Sequence, residues 1–278
     1  MRELKAEVIK SFSRPRSFIG LGAIVVLTVL IDLAFWFSGK EYIGLLFQTF
    51  EQVFLLEGNI VNGNLICFII LQTLIIHLPL LVALVTGDLL SGESAMGTMR
   101  YVLTRPISRT RLVLVKWVTS LLYVLTILLL LGVFAYAASL LIFGPGDLLV
   151  LNSDGLVILR DADLPWRFLM AFGYAFISLA TIASMSLMFS AFANNSIGPI
   201  VLTMVVVIVF TVVSSFEMSF FDPLMPLLFT NHMMLWRKFF ADPVPTMDIL
   251  RSALVLLGHT AAFLGITLYH FRRKDILE

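Results

Sequence analysis

Charge is what this chain lacks most. Asp, Glu, Lys and Arg make up 13% of its 278 residues, about half the roughly 25% of an ordinary soluble domain. Cysteine is nearly absent: the single Cys67 excludes an internal disulfide and any CxxC or zinc-ligand framework. In an apolar run it reads as a small buried hydrophobe. There is no G-x-x-x-x-G-K-[ST] phosphate loop, since the one Lys-Ser pair, Lys10-Ser11, follows no glycines, so ATP driving this protein would have to be bound by another chain. HxxxH, HExxH and Cys/Met clusters are missing too, so no metal site is expected. The net charge of +1 is uninformative by itself, and no nucleic-acid partner is expected.

What is present is apolar. The hydrophobic fraction is 59% and the mean hydropathy +0.99, against about 45–50% apolar in soluble domains. A helix crossing a roughly 30 Å hydrocarbon core needs about 20 apolar residues. Six runs qualify: Phe18–Phe37, Leu65–Thr86, Val118–Phe143, Phe168–Ala193, Ile197–Phe216 and Ile249–Phe271. They are continuous rather than alternating, which predicts helices and not barrel strands. The third, at about 1.5 Å per residue, would reach roughly 39 Å, so it should tilt or project. The first resembles a signal peptide but lacks a clean small-x-small cleavage site and reads as a retained anchor. The expected class is all-α: one membrane domain over residues 1–278 with six spans.

Orientation follows from lysine and arginine. Arg2, Lys5, Lys10, Arg14 and Arg16 precede the first span; Arg100, Arg105, Arg109, Arg111 and Lys116 follow the second; Arg272, Arg273 and Lys274 follow the last. The alternate segments hold fewer: Lys40, then Arg160 and Arg167, then Arg237, Lys238 and Arg251. Both termini are therefore expected in the cytoplasm, with the chain in the cytoplasmic membrane. Residues 1–17 carry Leu4, Val8 and Phe12 at i, i+4 spacing among charges, the pattern of a helix lying in the interface. Residues 217–248, punctuated by Pro223, Pro226, Pro243 and Pro245, should form an outer cap of short helices.

The most polar stretch is GDLLSGESAMGTMRYVLTRPISRTR, Gly87–Arg111, within a loop over 87–117. Asp88 is placed to cap a helix starting at Leu89. That helix should run to Thr104 and stop before Pro106, because Arg105 is pushed out of helical geometry. Gly92 and Gly97 lie on a small-residue face that lets another backbone approach. Glu93 and Arg100 are placed to pair across two turns. A loop that only enforced positive-inside topology would need the arginines alone; capped, glycine-rich helical sequence favours docking of a cytoplasmic partner.

The order Asp88, Gly92, Glu93, Gly97, Thr98, Leu103, Pro106, Arg109 resembles the first cytoplasmic loop of ATP-binding-cassette permeases of the type-two exporter group. There, a run like D-x-x-x-G-E-x-x-x-G-T-x-x-x-x-L-x-x-P-x-x-R follows the second span. The ending Phe271-Arg272-Arg273-Lys274-Asp275-Ile276 and the stretch from Leu228 to Pro243 are similar to the tail and outer segment of such permeases. The resemblance covers essentially the whole chain. It implies a homodimer or pseudodimer of permeases and a separate ATPase subunit carrying ATP and Mg. It also implies a coupling helix in the 88–116 loop, where Asp88, Gly92, Glu93, Gly97, Thr98, Arg100, Arg105, Pro106 and Arg109 meet the ATPase. On that reading Glu93→Ala leaves folding intact and lowers coupling.

Ionisable groups inside spans need a reason. Asp32, Gln72 and His77 are candidates to line a substrate path, with Pro79 as a hinge; alternatively each of these groups, and His259 mid-span in the sixth run, satisfies a neighbouring carbonyl and fixes packing. Alternatives to a permease are an intramembrane enzyme, which needs paired catalytic groups at one depth, and an ion-driven carrier, which favours inverted repeats and mid-membrane carboxylates. Neither pattern is visible.

Overall fold

The computed structural model describes residues 2–51, 60–74, 77–99, 101, 107–152, 155–216, 220, 223 and 225–274. A short helix α1 (Arg2–Phe12) leads into the long α2 (Pro15–Glu51). Next come α3 (Gly63–Leu74), α4 (His77–Thr86) and the one-turn α5 (Ser91–Ala95). The third apolar run is α6 (Arg109–Leu131), a π-helical turn (Gly132–Ala137) and α7 (Ala138–Phe143). A hairpin of β1 (Leu148–Asn152) and β2 (Gly155–Leu159) precedes α8 (Leu164–Phe192) and α9 (Gly198–Ser215). Short 3-10 turns flank α10 (Phe229–Met233), and α11 (Thr246–Arg273) ends the fold.

Among the described residues five helices are long and apolar enough to cross a membrane, and α3 with α4 makes a sixth only as a pair bent by 55°. The second run is thus broken rather than straight. Pro79, the third residue of α4, has no backbone N–H for a preceding turn, which makes a break there cheap. The first helix runs on to Glu51, well past the expected end at Phe37. The third is continuous from Arg109 to Phe143, as its length requires.

The all-α expectation fails at one place. Leu148–Asn152 and Gly155–Leu159 form a two-stranded antiparallel sheet, with Val150 opposite Val157 and Asn152 opposite Gly155. Branched residues either side of an N-x-x-G sequence favour a hairpin over a loop. Between α9 and α11, where an outer cap is expected, the described residues form α10 between 3-10 turns; which side of a membrane they face is part of the functional reading.

The core is organised around α8. Two thirds of its most apolar stretch is buried, against 17–28% for the other straight spans. Its small hydroxyl residues face four neighbours. Thr181 reaches the Leu256 carbonyl and the Thr260 hydroxyl of α11 at 3.2 and 3.1 Å. Ser184 accepts from the Trp117 indole of α6 at 2.8 Å. Ser186 donates to the Ala83 carbonyl of α4 at 3.4 Å, and Ser190 reaches α5. Small polar side chains let helices approach and cross-link them where lipid supplies no hydrophobic drive between helices.

The end opposite the termini is stitched by asparagines. Asn62 caps α3 through the Leu65 amide (3.0 Å) and donates to the Asp147 carbonyl (2.8 Å). Asn64 donates to the Gly146 carbonyl and to Asp161, each at 2.8 Å. Gly63 lets α3 touch α7: a Cβ there would lie 2.6 Å from Leu140 Cα and the Ser139 carbonyl, both backbone. Gly63→Ala is expected to cost about 1–3 kcal/mol by overpacking. Gly22→Ala, two turns into α2 with nothing within 4 Å of the new methyl, should be neutral or slightly stabilising. Thermal unfolding of the two variants in detergent checks the difference.

Candidate functional site

α1, the end of α11 and the described part of the polar loop meet at one end of the bundle, joined by ion pairs and hydrogen bonds within the chain. α1 lays Leu4, Val8 and Phe12, all half-buried, toward α6, where the Phe12 ring meets Tyr123 edge-on at 5.9 Å. This orientation brings Glu3, Glu7 and Lys10 over the loop. Lys116, 0% exposed, donates to Glu7 Oε1 at 2.7 Å and pairs with Glu93 Oε1 at 2.9 Å. Lys10 donates to the same Glu93 oxygen. Asp88, also buried, is held between Arg14 and Arg16, the latter at 2.7 Å. Arg111 pairs with Glu3 at 2.6 Å.

Two expectations about the loop are corrected by this arrangement. Asp88 does not cap a helix: its carboxylate is drawn to two arginines. The orphan amides of Leu90 and Ser91 are instead taken by Ser190 Oγ of α8, at 3.1 and 2.9 Å. Nor does one helix run from Leu89 to Thr104, because α5 ends at Ala95. Gly97 has φ +65°; its amide bonds to the Ser94 carbonyl (3.0 Å) and the Thr98 amide to the Glu93 carbonyl (2.9 Å). That paired closure is the Schellman ending, which needs a left-handed residue at this position.

The assigned partner-binding residues are therefore mostly engaged inside the chain. Glu93 is 0% exposed and so is not on the outer surface, because two lysines and α1 cover it. Gly92 is small for a local reason, since a Cβ would run into the Asp88 carboxylate. Arg109 donates to the Lys274 carbonyl at 2.6 Å and the Arg272 carbonyl at 3.1 Å. A cation on the last carbonyls of α11 satisfies them and opposes the helix dipole. Lys274 in turn donates to the Ala191 carbonyl at 3.0 Å, fixing the tail to α8. Arg100, Arg105 and Pro106 lie outside the described residues, and with them the expected Glu93–Arg100 pair. What the tip exposes is Ala95, Met96 and Gly97, with Met96 60% and Tyr101 75% exposed.

The candidate path residues do not line one groove together. Asp32 is buried and accepts from Ser139 Oγ at 2.7 Å, joining α2 to α7. His77 lines a groove of about 550 Å³ with Leu30, Phe35 and Ile69. Neither Asp32, Gln72 nor Pro79 lines that groove. His259 turns its Nδ1 to the Val255 carbonyl one turn back, at 2.9 Å, between the Phe229 and Phe263 rings.

Burial alone would raise the Glu93 pKa, but Lys116 and Lys10 outweigh it and hold the carboxyl below its ordinary 4.5. Its second oxygen, Oε2, is buried without a hydrogen-bond partner among the described residues. Such an unsatisfied acceptor costs about 1–3 kcal/mol.

A bundle of apolar helices with a folded, ion-paired polar end defines a multi-pass helical membrane protein. The chain belongs to the DUF2705 family, described as a protein of unknown function, whose profile matches residues 18–277. Asp88, Glu93 and Lys116 lie inside that match, and Lys10, Arg14 and Arg16 before it. The uncharacterized protein YhcI of Bacillus subtilis (strain 168) is 23% identical over 198 residues, 69% of this chain and 63% of the relative. The chain thus spans under two thirds of the length of that curated relative.

Glu93→Ala should cost about 3–5 kcal/mol, rather than leave folding intact as expected of an exposed coupling residue, because it removes one carboxylate from a fully buried ammonium. Met96→Ala, at the exposed tip, should stay within about 0.5 kcal/mol. Urea unfolding in detergent compares them, and equal stabilities would contradict the geometry. Because the folded pKa of Glu93 is depressed, its contribution is complete above pH 4.5 and is lost as the pH falls below it. Wild type should accordingly lose more stability on acidification than Glu93→Gln.

Proposed function

We propose that the chain is the membrane permease subunit of an ATP-driven exporter. It would work as a pair of permeases with a separate ATPase that binds ATP and Mg. On this reading both termini and the 87–117 loop face the cytoplasm. The motif resemblance from Asp88 to Arg109, placed after the second apolar run, motivates the reading. The observation that carries it is the ion-paired lock at that end.

The lock gives a mechanical path. A partner seated on Ala95, Met96 and Gly97 pushes on α5. Glu93 passes the displacement through Lys116 into α6, the long third span. Asp88 passes it through Arg14 and Arg16 into the start of α2, the first span. Ser190 links the same turn to the central α8. Three helices therefore receive one motion, and the membrane path alternates its exposure. Transmission requires the partner's two nucleotide states to bind this tip with different affinity. Asp32, His77 and His259 each make separate local contacts, which favours transport over an intramembrane enzyme.

Affinity capture of the tagged full chain from native membranes is expected to retain an ATPase carrying a phosphate loop. Met96→Asp should reduce that capture by about tenfold or more, roughly 1.4 kcal/mol, with an unchanged melting temperature. Capture of no ATPase by the wild-type chain contradicts the proposal.

A further inference from the structure

Between α1 and the first turns of α6 lies a cavity of about 390 Å³. Glu3, Glu7 and Glu93 line it together with one ammonium, Lys10. Ile107, Leu112 and Val115 form its apolar wall. We propose that this cavity receives an arginine side chain of the docked partner, with Glu93 as its anchor. The inference rests on the reading that this end meets a partner protein, and it names the group by which that partner is held.

The anchor is the part most clearly unfinished. Glu93 Oε1 is held by Lys10 and Lys116, while Oε2 has no hydrogen-bond partner among the described residues although Glu93 is 0% exposed. An ionised carboxylate oxygen only accepts, so its complement is a donor. The neighbouring carboxylates are already committed: Glu7 to Lys116 beneath the cavity, Glu3 to Arg111 outside it. A lysine would add a second point charge like Lys10 and again satisfy one oxygen. A guanidinium presents a planar fork that spans both oxygens at once. Its methylene stem matches the apolar wall, as long basic side chains bury their stems and keep the head polar.

Entry has a built-in route. The Lys10 side chain is 38% exposed, whereas that of Lys116 is 0% exposed. Lys10 is thus the member of the pair that solvent reaches and the one that yields. Its ammonium returns to water as the guanidinium takes its place, and the charge facing Glu93 stays the same. Partner arrival thereby releases α1 from α5, where Lys10 now joins them.

The test uses the full chain in detergent with a reporter thiol at the cavity mouth. Ala6 lines the cavity and is exposed, and the native Cys67 is 0% exposed. In Ala6→Cys, a cationic methanethiosulfonate should react about tenfold or more faster than an anionic one of similar size, relative to a free thiol. Nα-acetyl-arginine amide should slow modification several-fold. The citrulline and lysine analogues should not. Glu93→Gln in the same background should abolish the arginine protection. If that double variant does not fold, the arginine–citrulline comparison on Ala6→Cys decides alone. Equal protection by arginine and citrulline, or none by either, overturns the proposal. A chain that captures its ATPase yet shows no arginine preference loses this inference only, and the permease reading stands.

Discussion

Glu93 and Lys116 sit 2.9 Å apart, each 0% exposed. Removing two charges from water costs several kcal/mol per ion, and mutual attraction offsets this only where further partners satisfy both groups. Here Glu7 supplies the second contact for Lys116, and Lys10 the second for Glu93. The requirement reaches well beyond the pair. α1 must lie where it does, because it carries Glu7 and Lys10. α5 must be short and closed by Gly97, because Glu93 has to turn inward. The first turns of α6 must lie at this polar end, because Lys116 has to meet both Glu7 and Glu93.

The apolar layer meets this polar layer through α8. Its serines and threonines bond to α11, α6 and α4 along the span, and its Ser190 caps α5. The tail is tied in at the same level by Arg109 on the carbonyls of α11 and by Lys274 on Ala191. Burial pushes the Lys274 pKa down, but a donor in contact with a helix-end carbonyl keeps its function. Movement of the tip is thus linked by short polar contacts to helices that otherwise meet through weak, non-directional packing.

Much of this was legible in the sequence, and the misses have physical causes. Apolar runs of about 20 residues mark five straight helices long enough to span, because length and hydropathy depend on composition alone, while the second run is a bent pair. The break between α3 and α4 was marked only by Pro79. The hairpin leaves little signal, because two five-residue strands are weak against long helical runs. At the polar end the right residues were singled out for the wrong contacts. Asp88 and Glu93 looked like surface groups of one long helix. Their partners, Lys10, Arg14, Arg16 and Lys116, are up to 83 residues away in sequence, and no local pattern pairs them. Gly97 did carry a usable signal: a glycine that ends a helix reads like one that lets a neighbour approach, until its φ is known.

α1, the tip of the loop and the foot of α6 share ion pairs and should open as one body. In hydrogen–deuterium exchange on the intact chain, amides of residues 4–12 and 92–98 are expected to exchange with one common opening free energy, and both segments to lose protection together in Glu93→Gln. Exchange of α1 at a frayed-terminus rate while 92–98 stays protected would contradict it.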